Sequence, residues 1–324
     1  MARAARIEKQ GGPEVIKWVD VALTAPGPGE VQMRNTAVGL NFIDTYHRGG
    51  VYPVPLPSGL GMEAAGVIEA VGEGVTDLEV GDRVCTFGSG LGAYCTARNV
   101  AAASLFTIPD DISDEIAAAA LLKGCTAEML VERCAKVQAK WQVLVYSAAG
   151  GVGLLLVQWL KHVGAEVIAT VSNADKAALA RAAGADHVID TSQDKIVERV
   201  RAITNGAGVR VSFDGVGKDS WESSLDSTGR RGMIVSYGNA SGPVTGVGLG
   251  ILAAKGSLFV SRPTMGDYYT DPVERAAGSD YVFDLIRQGI LSVNIGQTYP
   301  LEAAAQAHID LESRKTTGST ILIP

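Results

Sequence analysis

The sequence predicts an α/β protein of two domains, a β-rich domain of barrel type and a doubly wound parallel sheet. Three observations predict this fold. The chain has 324 residues, and 47% of them are hydrophobic. A chain of this length is usually divided between two hydrophobic cores. Up to about residue 120, short β-like runs are separated by turn residues, as in small barrels. Beyond that point strands alternate with helical patterns, as in doubly wound sheets.

The first domain is predicted from alternation and from turn residues. Apolar and polar positions alternate from Val31 to Met33, and the run Arg83–Phe87 follows a Gly-Asp turn. The segment YPVPLPSGLG, residues 52–61, contains three prolines and two glycines, so it can form neither a helix nor a central strand. We expect a loop there, placed over a site.

The second domain is predicted from the change of rhythm after residue 120. Strands paired with following helices are expected at 143–147 and 151–163, at 166–171 and 174–183, and at 187–189 and 194–204, with further strands at 209–213, 231–237 and 257–260. This order is typical of a doubly wound parallel sheet. A helical pattern at 279–288 and a last strand at 320–324 follow, and both could return to the first domain.

A glycine-rich turn joins the first strand of that sheet to its first helix. In VLVYSAAGGVGLLLVQWL, residues 143–160, Gly150, Gly151 and Gly153 fall at the join, with Ala148 in place of the first glycine of GxGxxG. A helix N-terminus at such a join presents backbone N–H groups to a diphosphate, and Gly153 lets the helix pack closely on the strand. We therefore expect a dinucleotide here; a tight turn without a ligand is the alternative.

The end of the second strand indicates which dinucleotide binds. An NAD site usually offers Asp or Glu at this point, but the chain has the neutral Ser172 and Asn173, followed by Lys176. A cation here favours a 2′-phosphate and hence NADPH. Asp175 counts against this preference, because it would repel the phosphate if it turned inward, and Lys176 could instead be a solvated lysine at a helix start.

Composition excludes several other functions. The net charge is -7 and no run of Lys or Arg occurs, so nucleic acid is not expected as a partner. No apolar stretch reaches the roughly 18 to 20 residues of a membrane span, and the N-terminus lacks the apolar centre of a signal peptide. We therefore expect a cytoplasmic protein without membrane contact.

The cysteines do not indicate a metal site. Cys85, Cys95, Cys125 and Cys134 match neither a CxxC pair nor a zinc ribbon. They are predicted to be reduced thiols, mostly buried. Cys125, beside Gly124 and Thr126, is the one candidate for a reactive thiol.

Several segments together resemble one family. The chain is similar to the zinc-free quinone oxidoreductases of the medium-chain dehydrogenase/reductase superfamily, near the bacterial NADPH:quinone reductase type. The likeness spans nearly the whole chain in order, through GGPEV (11–15), NFIDTY (41–46), LPSGLGMEAAG (56–66), VGEGV (71–75), GDRV (81–84), LGAY (91–94), AAGGVG (148–153), FDGVG (213–217), SYGNASGPVTG (236–246), SRP (261–263) and LESR (311–314).

This resemblance implies a domain plan. It implies a GroES-like catalytic domain, residues 1–124 and 264–324, around a Rossmann NADPH-binding domain, residues 125–263, with the site in the cleft between them. It also implies a homodimer joined through edge strands at 256–260. Zinc is not expected, because zinc-dependent relatives have a Cys where this chain has Asn41 and a His where it has Met62.

The resemblance further implies the residues that bind NADPH. They are Asn41, Phe42, Ile43, Asp44, Thr45, Tyr46, Thr126, Gly150, Gly151, Val152, Gly153, Ser172, Lys176, Tyr237, Gly238, Asn239, Ser241, Arg262, Pro263 and Arg314. Thr191 and Met129 stand where some relatives have Tyr, which weakens the expected preference for NADPH. Each assignment has a structural alternative: Tyr46 as a core aromatic residue, Asn41 as a turn residue, Arg314 as a surface cation.

Three functions are compatible with these residues. The first is NADPH-dependent reduction of a small-molecule quinone, in which Tyr46 and Tyr52 orient or protonate the acceptor carbonyl and Asn41 donates a hydrogen bond to it. His47, next to Tyr46, could join a proton path, although a surface position is the simpler expectation. The second is reduction of the carbon–carbon double bond of enals or enones. The third is a nucleotide-binding structural or RNA-binding protein.

Overall fold

A computed structural model describes all residues, 1–324, and divides into two compact units, residues 1–122 with 293–324 and residues 123–292. The strands are β1 (Ala2–Ile7), β2 (Lys17–Val21), β3 (Glu30–Leu40), β4 (Ser58–Gly59), β5 (Glu63–Val71), β6 (Arg83–Phe87), β7 (Ala97–Ala101), β8 (Leu105–Thr107), β9 (Gln142–Val145), β10 (Glu166–Val171), β11 (His187–Asp190), β12 (Val209–Asp214), β13 (Thr228–Ser236), β14 (Phe259–Ser261), β15 (Ile295–Pro300) and β16 (Ser319–Ile323). The α-helices are α1 (Phe42–Gly49), α2 (Asp114–Glu128), α3 (Gly151–His162), α4 (Ala174–Ala182), α5 (Ile196–Ile203), α6 (Trp221–Ser227), α7 (Gly250–Ala254), α8 (Met265–Tyr268), α9 (Pro272–Arg287) and α10 (Ala304–Glu312).

The first unit is built on β-sheets, as predicted. A seven-stranded sheet has the order β15-β16-β3-β5-β6-β8, with β7 paired to β3, and a three-stranded sheet has the order β2-β1-β4. Val31 and Met33 of β3 are buried, while Gln32 and Arg34 are not, because alternate side chains of a strand face opposite sides of the sheet. The last strand joins this unit, since Leu322 of β16 pairs with Val38 of β3.

Helix α1 of this unit and helix α2, which begins in this unit and ends in the second, follow no pattern used in the prediction from sequence. Helix α1 has only eight residues, and α2 begins with the polar Asp114 and continues as an almost uninterrupted apolar run. Residues 117–121 are all buried, so α2 shows no contrast between a polar and an apolar face. Without that contrast, the apolar residues of α2 do not show the 3.6-residue period by which a helix is predicted from a sequence.

The second unit contains the predicted doubly wound sheet. Its strand order is β11-β10-β9-β12-β13-β14, and every neighbouring pair is parallel. This is the dinucleotide-binding order, in which two halves wind outward from the central pair. The predicted strands and helices of this sheet agree with the observed ones to within a few residues.

The segment 264–292 packs with the second unit, whereas the sequence analysis assigned it to the first. Helix α9 begins at Pro272 because the Asp271 carboxylate accepts hydrogen bonds from the backbone N–H groups of Val273 and Glu274. Its Tyr281 ring packs edge-on against Trp159 at 5.1 Å between centroids. The contact between the buried Trp159 and the more exposed Tyr281 links α9 to α3.

None of the helices combines the length and the apolar character that crossing a membrane requires.

Candidate functional site

The predicted dinucleotide residues gather at one edge of the sheet in the second unit. Parallel strands end at the same edge, and Gly150–Gly153, Ser172, Tyr237–Ser241 and Arg262 follow the ends of β9, β10, β13 and β14. The strand order reverses between β9 and β12. In doubly wound sheets, ligands bind outside the carboxyl ends of the strands at such a reversal.

The glycine-rich turn brings helix α3 directly against the end of β9. A Cβ atom on Gly153 would lie 2.4 Å from the backbone oxygen of Ser147 and 2.8 Å from the backbone carbon of Ala148, so no larger residue fits without movement of the backbone. Gly150 caps the helix, and its backbone N–H donates to the oxygen of Ser147 at 3.0 Å. The first N–H groups of α3 have no acceptor within the helix, and this cradle fits a diphosphate.

The end of β10 presents neutral groups and one cation. Asn173 caps α4, and its Oδ1 accepts the backbone N–H of Lys176 at 2.9 Å. Ser172 and Asn173 are exposed, and Asp175 is exposed in the first turn of the helix. This end of the strand, with the Lys176 side chain and the positive end of the α4 dipole, fits a phosphate monoester better than a ribose hydroxyl pair.

Thr191, which stands where some relatives have Tyr, is used in the fold. Its backbone N–H and its Oγ1 both donate to the oxygen of Val171, at 2.8 Å and 3.0 Å. Thr191 therefore ties the end of β11 to the end of β10.

Asp214 organises the loop after β12, a role that the sequence analysis missed. Its buried carboxylate accepts the N–H groups of Val216 and Gly217 at 2.9 Å and 3.1 Å, and the hydroxyls of Ser220 and Ser224 at 2.7 Å and 2.6 Å. A buried carboxylate needs several such donors. The signal in the sequence was an acidic residue at the end of an apolar strand.

The loops after β12 and β13 interlock. The backbone N–H of Tyr237 donates to the backbone oxygen of Asp214 at 2.9 Å, and that of Ser241 donates to the backbone oxygen of Val216 at 2.8 Å. A Cβ atom on Gly238 would lie 2.3 Å from the oxygen of Gly215. The Ser241 hydroxyl accepts the N–H of Asp219 at 3.0 Å and donates to Val216 at 2.9 Å, so Ser241 holds the two loops together.

Arg262 fastens the loop after β13 from the side of β14. Its Nη1 donates to the backbone oxygens of Ser236 and Gly238, at 2.7 Å and 3.2 Å. With its amide oxygen turned toward Arg262, Asn239 accepts a hydrogen bond from Nη2 at 3.0 Å. Asn239 and Arg262 also border a pocket of about 350 Å³, whose other walls are mostly apolar and include Val244, Val247, Leu249, Leu252 and Val260.

In the first unit, Asn41 is held by a buried carboxylate. Its Nδ2 donates to Glu63 Oε2 at 2.8 Å and to the oxygen of Gly39 at 3.4 Å. Glu63 is fully buried, and its Oε1 accepts the N–H of Leu122 at 2.6 Å. The amide hydrogens of Asn41 thus already have acceptors within the unit. Glu63 was not among the residues predicted from the sequence, where its only signal is an acidic residue at the start of an apolar strand.

Helix α1 carries an aromatic group around Tyr46. The rings of Tyr46 and Tyr52 pack edge-on with 5.3 Å between their centroids, and the centroids of the Phe42 and Tyr46 rings are 5.9 Å apart. The backbone N–H of Tyr52 donates to the oxygen of Tyr46 at 3.2 Å, so the predicted loop is tied to the helix. His47 is half-buried, not on the surface, and burial lowers the pKa of His47, so its imidazole is neutral at pH 7.

Other predicted site residues serve the fold around them. Asp44 is fully buried and its Oδ2 accepts from the Asn41 backbone and the Tyr94 hydroxyl, each at 2.9 Å. The Thr45 hydroxyl donates to the oxygen of Phe42 at 2.7 Å. Arg314 is exposed after α10, and Thr126 is buried in the last turn of α2.

The cysteines are all free thiols. Cys85, Cys95 and Cys125 are buried, and Cys134 is partly exposed. Burial raises the pKa of the Cys95 thiol to about 11. The burial of Cys125 speaks against the reactive role considered for it.

Known proteins match this chain over its whole length. Residues 27–139 match the family model of the alcohol dehydrogenase GroES-like domain, and residues 151–285 match that of the zinc-binding dehydrogenases. A quinone oxidoreductase of Pseudomonas aeruginosa is 49% identical over all of both chains. The chain belongs to the quinone oxidoreductase family. This membership confirms the predicted resemblance and the predicted GroES-like and Rossmann folds.

Two further proteins are similar to this chain along its whole length. The crystal structure of Escherichia coli quinone oxidoreductase complexed with NADPH is 48% identical, covers all of both chains and superposes with a TM-score of 0.97. A 2-haloacrylate reductase of a Burkholderia species is 44% identical and covers all of this chain and 99% of its own.

One of the two matched family models is that of the zinc-binding dehydrogenases. No group of three or more His, Cys, Asp or Glu residues could hold a metal ion. At the two positions singled out in the sequence, Asn41 is bonded to Glu63 and Met62 is a poor zinc ligand.

The glycine turn allows a matched pair of variants. Gly153→Ala should lower the free energy of unfolding by about 1–3 kcal/mol, because its Cβ meets backbone atoms that must move. Gly150→Ala should change it by less than about 1 kcal/mol, since its Cβ would meet only the Ser147 oxygen, at 3.3 Å. Urea unfolding followed by circular dichroism measures both values. Equal losses would contradict the proposed close packing at Gly153.

Proposed function

We propose that this protein transfers a hydride from NADPH to a quinone and that zinc takes no part. The observation that supports it most directly is the edge of the parallel sheet, where a glycine-built diphosphate cradle shares the carboxyl edge with Ser172 and Lys176. The full-length similarity to quinone oxidoreductases agrees with this chemistry. The bond between Asn41 and Glu63 agrees with a site that uses no metal.

The chain's own groups divide the task of holding NADPH. The turn at Gly150, Gly151, Val152 and Gly153 and the N-terminus of α3 hold the diphosphate. Ser172 and Lys176 hold the 2′-phosphate. For the nicotinamide half we propose residues 41–46, Thr126, Tyr237 to Ser241, Arg262, Pro263 and Arg314. When bound, NADPH supplies the hydride.

The side-chain hydroxyls of the first unit are the proposed partners of the acceptor. Reduction of a quinone carbonyl leaves negative charge on its oxygen, and a hydrogen-bond donor at that oxygen stabilises the charge. Because the Asn41 amide hydrogens already have acceptors, we assign this role to the hydroxyls of Tyr46 and Tyr52. Asn41 then acts by fixing the start of α1.

Reduction of an activated carbon–carbon double bond is the second candidate. It is favoured by the 44% identity to a 2-haloacrylate reductase. Both reactions need the same cofactor cradle, and they differ only in the acceptor atom that receives the hydride.

We further propose that the protein is a homodimer joined through β14. This strand is at the edge of its sheet, and Phe259 and Val260 expose 58% and 41% of their surface. An exposed apolar edge strand is prone to pair with another chain. A second copy, related by a two-fold axis, would pair with it and cover these side chains.

Stopped-flow kinetics tests the proposed activity. NADPH and NADH are each mixed with enzyme and with 9,10-phenanthrenequinone, 1,4-benzoquinone or a 2-alkenal, and absorbance of the reduced cofactor is followed. We expect fast oxidation of NADPH with the quinones. Reaction with the alkenal alone would establish the double-bond reductase instead, and binding without any turnover would indicate a nucleotide-binding protein.

Lys176→Ala should raise KM for NADPH about tenfold or more, because a charge-assisted hydrogen bond to the 2′-phosphate is lost. KM for NADH should stay nearly unchanged, since NADH lacks that phosphate. Lys195→Ala is the control, because Lys195 is an exposed lysine of the same unit that pairs with Glu198. If both cofactors lose affinity equally, Lys176 does not read the 2′-phosphate.

Val260→Asp should convert the dimer to a monomer, because it places a charge in the apolar strand pairing. Val273→Asp is the matched control, since Val273 is 77% exposed on α9 of the same unit. Sedimentation velocity at several concentrations measures the mass. A wild-type monomer, or a Val260→Asp dimer, would contradict this interface.

A further inference from the structure

A chain of buried polar side chains crosses the first unit from helix α1 to helix α10. Tyr94 Oη lies 2.9 Å from Asp44 Oδ2 and 3.0 Å from His308 Nε2. On the other side of the imidazole, Arg48 Nη1 lies 3.1 Å from His308 Nδ1. Arg48 also binds Glu312 with two bonds, at 2.9 Å and 2.8 Å. Asp44, Tyr94 and His308 are fully buried.

Chemistry fixes the direction of every hydrogen bond in this chain. A guanidinium can only donate, so His308 Nδ1 is the acceptor and its proton resides on Nε2. Nε2–H then donates to the Tyr94 oxygen, and the Tyr94 hydroxyl donates to the carboxylate of Asp44. One tautomer of the neutral imidazole fits both of its neighbours, Arg48 and Tyr94, whereas the other tautomer would set an N–H against the N–H of Arg48.

The chain holds α1 on one face and at both ends. Asp44 and Arg48 are four residues apart, so they share a face of the helix. Near the helix start, Asp44 accepts the backbone N–H of Asn41. Near its end, Arg48 Nε donates to the oxygen of Gly11 at 3.0 Å. Tyr46 is halfway between them and projects about 200° around the helix.

We propose that His308 is a positioning residue that, as the Nε2–H tautomer, fixes α1 and thereby the hydroxyl of Tyr46 for the acceptor. This role rests on the proposed quinone reduction. His308 does not conduct protons to the acceptor, because Arg48 interrupts the chain and does not deprotonate in proteins. The protons that the reduced acceptor needs therefore come from Tyr46, Tyr52 or water.

The buried position of His308 and the groups around it favour a neutral imidazole. Burial, and then the neighbouring charge of Arg48, lower the pKa of His308 to about 3. Burial and the charge of Asp44 raise the pKa of Tyr94 well above its usual value. The groups that face the imidazole or continue its chain are Arg48, Tyr94, Asp44 and Glu312. Since an unfolded imidazole protonates near pH 6.5, stability from the neutral form is lost as pH falls below that value.

The tautomer can be measured on the full chain without any assay of activity. The protein has four histidines, and His308→Gln assigns the signal of His308 in nitrogen-15 spectra by its disappearance. We expect the neutral Nε2–H form, unchanged between about pH 5 and pH 8. A ring protonated on Nδ1, or one that titrates in this range, overturns the proposal.

Two substitutions at His308 distinguish the effect of its hydrogen bonds from the effect of its size. His308→Gln keeps one acceptor and one donor, whereas His308→Leu keeps the size but removes the hydrogen bonds that His308 makes with Arg48 and Tyr94. We expect His308→Leu to lower kcat with a quinone by about 10- to 100-fold, as for a displaced catalytic group, with a smaller change in KM for NADPH. His308→Gln should recover most of this loss. Equal losses in the two variants overturn the proposal.

Hydrogen exchange tests whether His308 holds helix α1 without any measurement of catalysis. Backbone amides of residues 42–49 should exchange faster in His308→Leu than in wild type and in His308→Gln, while the amides of α3 in the second unit stay unchanged. His162→Leu, at the exposed end of α3, is the control for loss of a histidine. If wild type reduces no quinone, the proposed function fails, whereas unaltered exchange in α1 of His308→Leu refutes the role of His308 itself.

Discussion

The contact between helix α3 and the turn at Ser147 and Ala148 sets the geometry on which the second unit depends. Because Gly153 has no Cβ, the helix lies against backbone atoms and not against a side chain. This contact fixes the start of α3 at the carboxyl edge of the sheet, where β10, β12, β13 and β14 also end. The backbone N–H groups at the start of α3 therefore lie at the same edge of the sheet as Ser172, Tyr237 and Arg262, which come from distant parts of the sequence.

Buried carboxylates organise both units around their proposed ligand groups. Asp214 gathers the loop after β12 through two backbone N–H groups and two hydroxyls. Glu63 holds Asn41 and the N–H of Leu122. A buried carboxylate with fewer donors would be costly, so each of these acids ties together the segments that supply its donors. These hydrogen bonds restrict the loops near the proposed site, and such restriction reduces the entropy lost on binding.

The hydrogen bonds of the first unit limit which side chains could give a proton to the acceptor. Asn41 is occupied by Glu63 and Gly39, and Asp44 is committed to Asn41 and Tyr94. Neither side chain is then a proton source for a reduced quinone. His47 is neutral because burial lowers the pKa of His47, and His308 lies in the interior. In the proposed function, NADPH supplies the hydride, and tyrosine hydroxyls and water supply the polar contacts to the acceptor.

The sequence by itself determined the alternation of strands and helices, the glycine turn and the neutral end of β10, because each is written in residues that are neighbours in the chain. It did not reveal α2, whose apolar residues surround the helix, nor the packing of α9 on Trp159. Tertiary structure alone decided that Glu63 holds Asn41 and that His308 meets Tyr94, 214 residues away. Such pairs are chosen by which strands and helices pack together, and no local propensity encodes that choice.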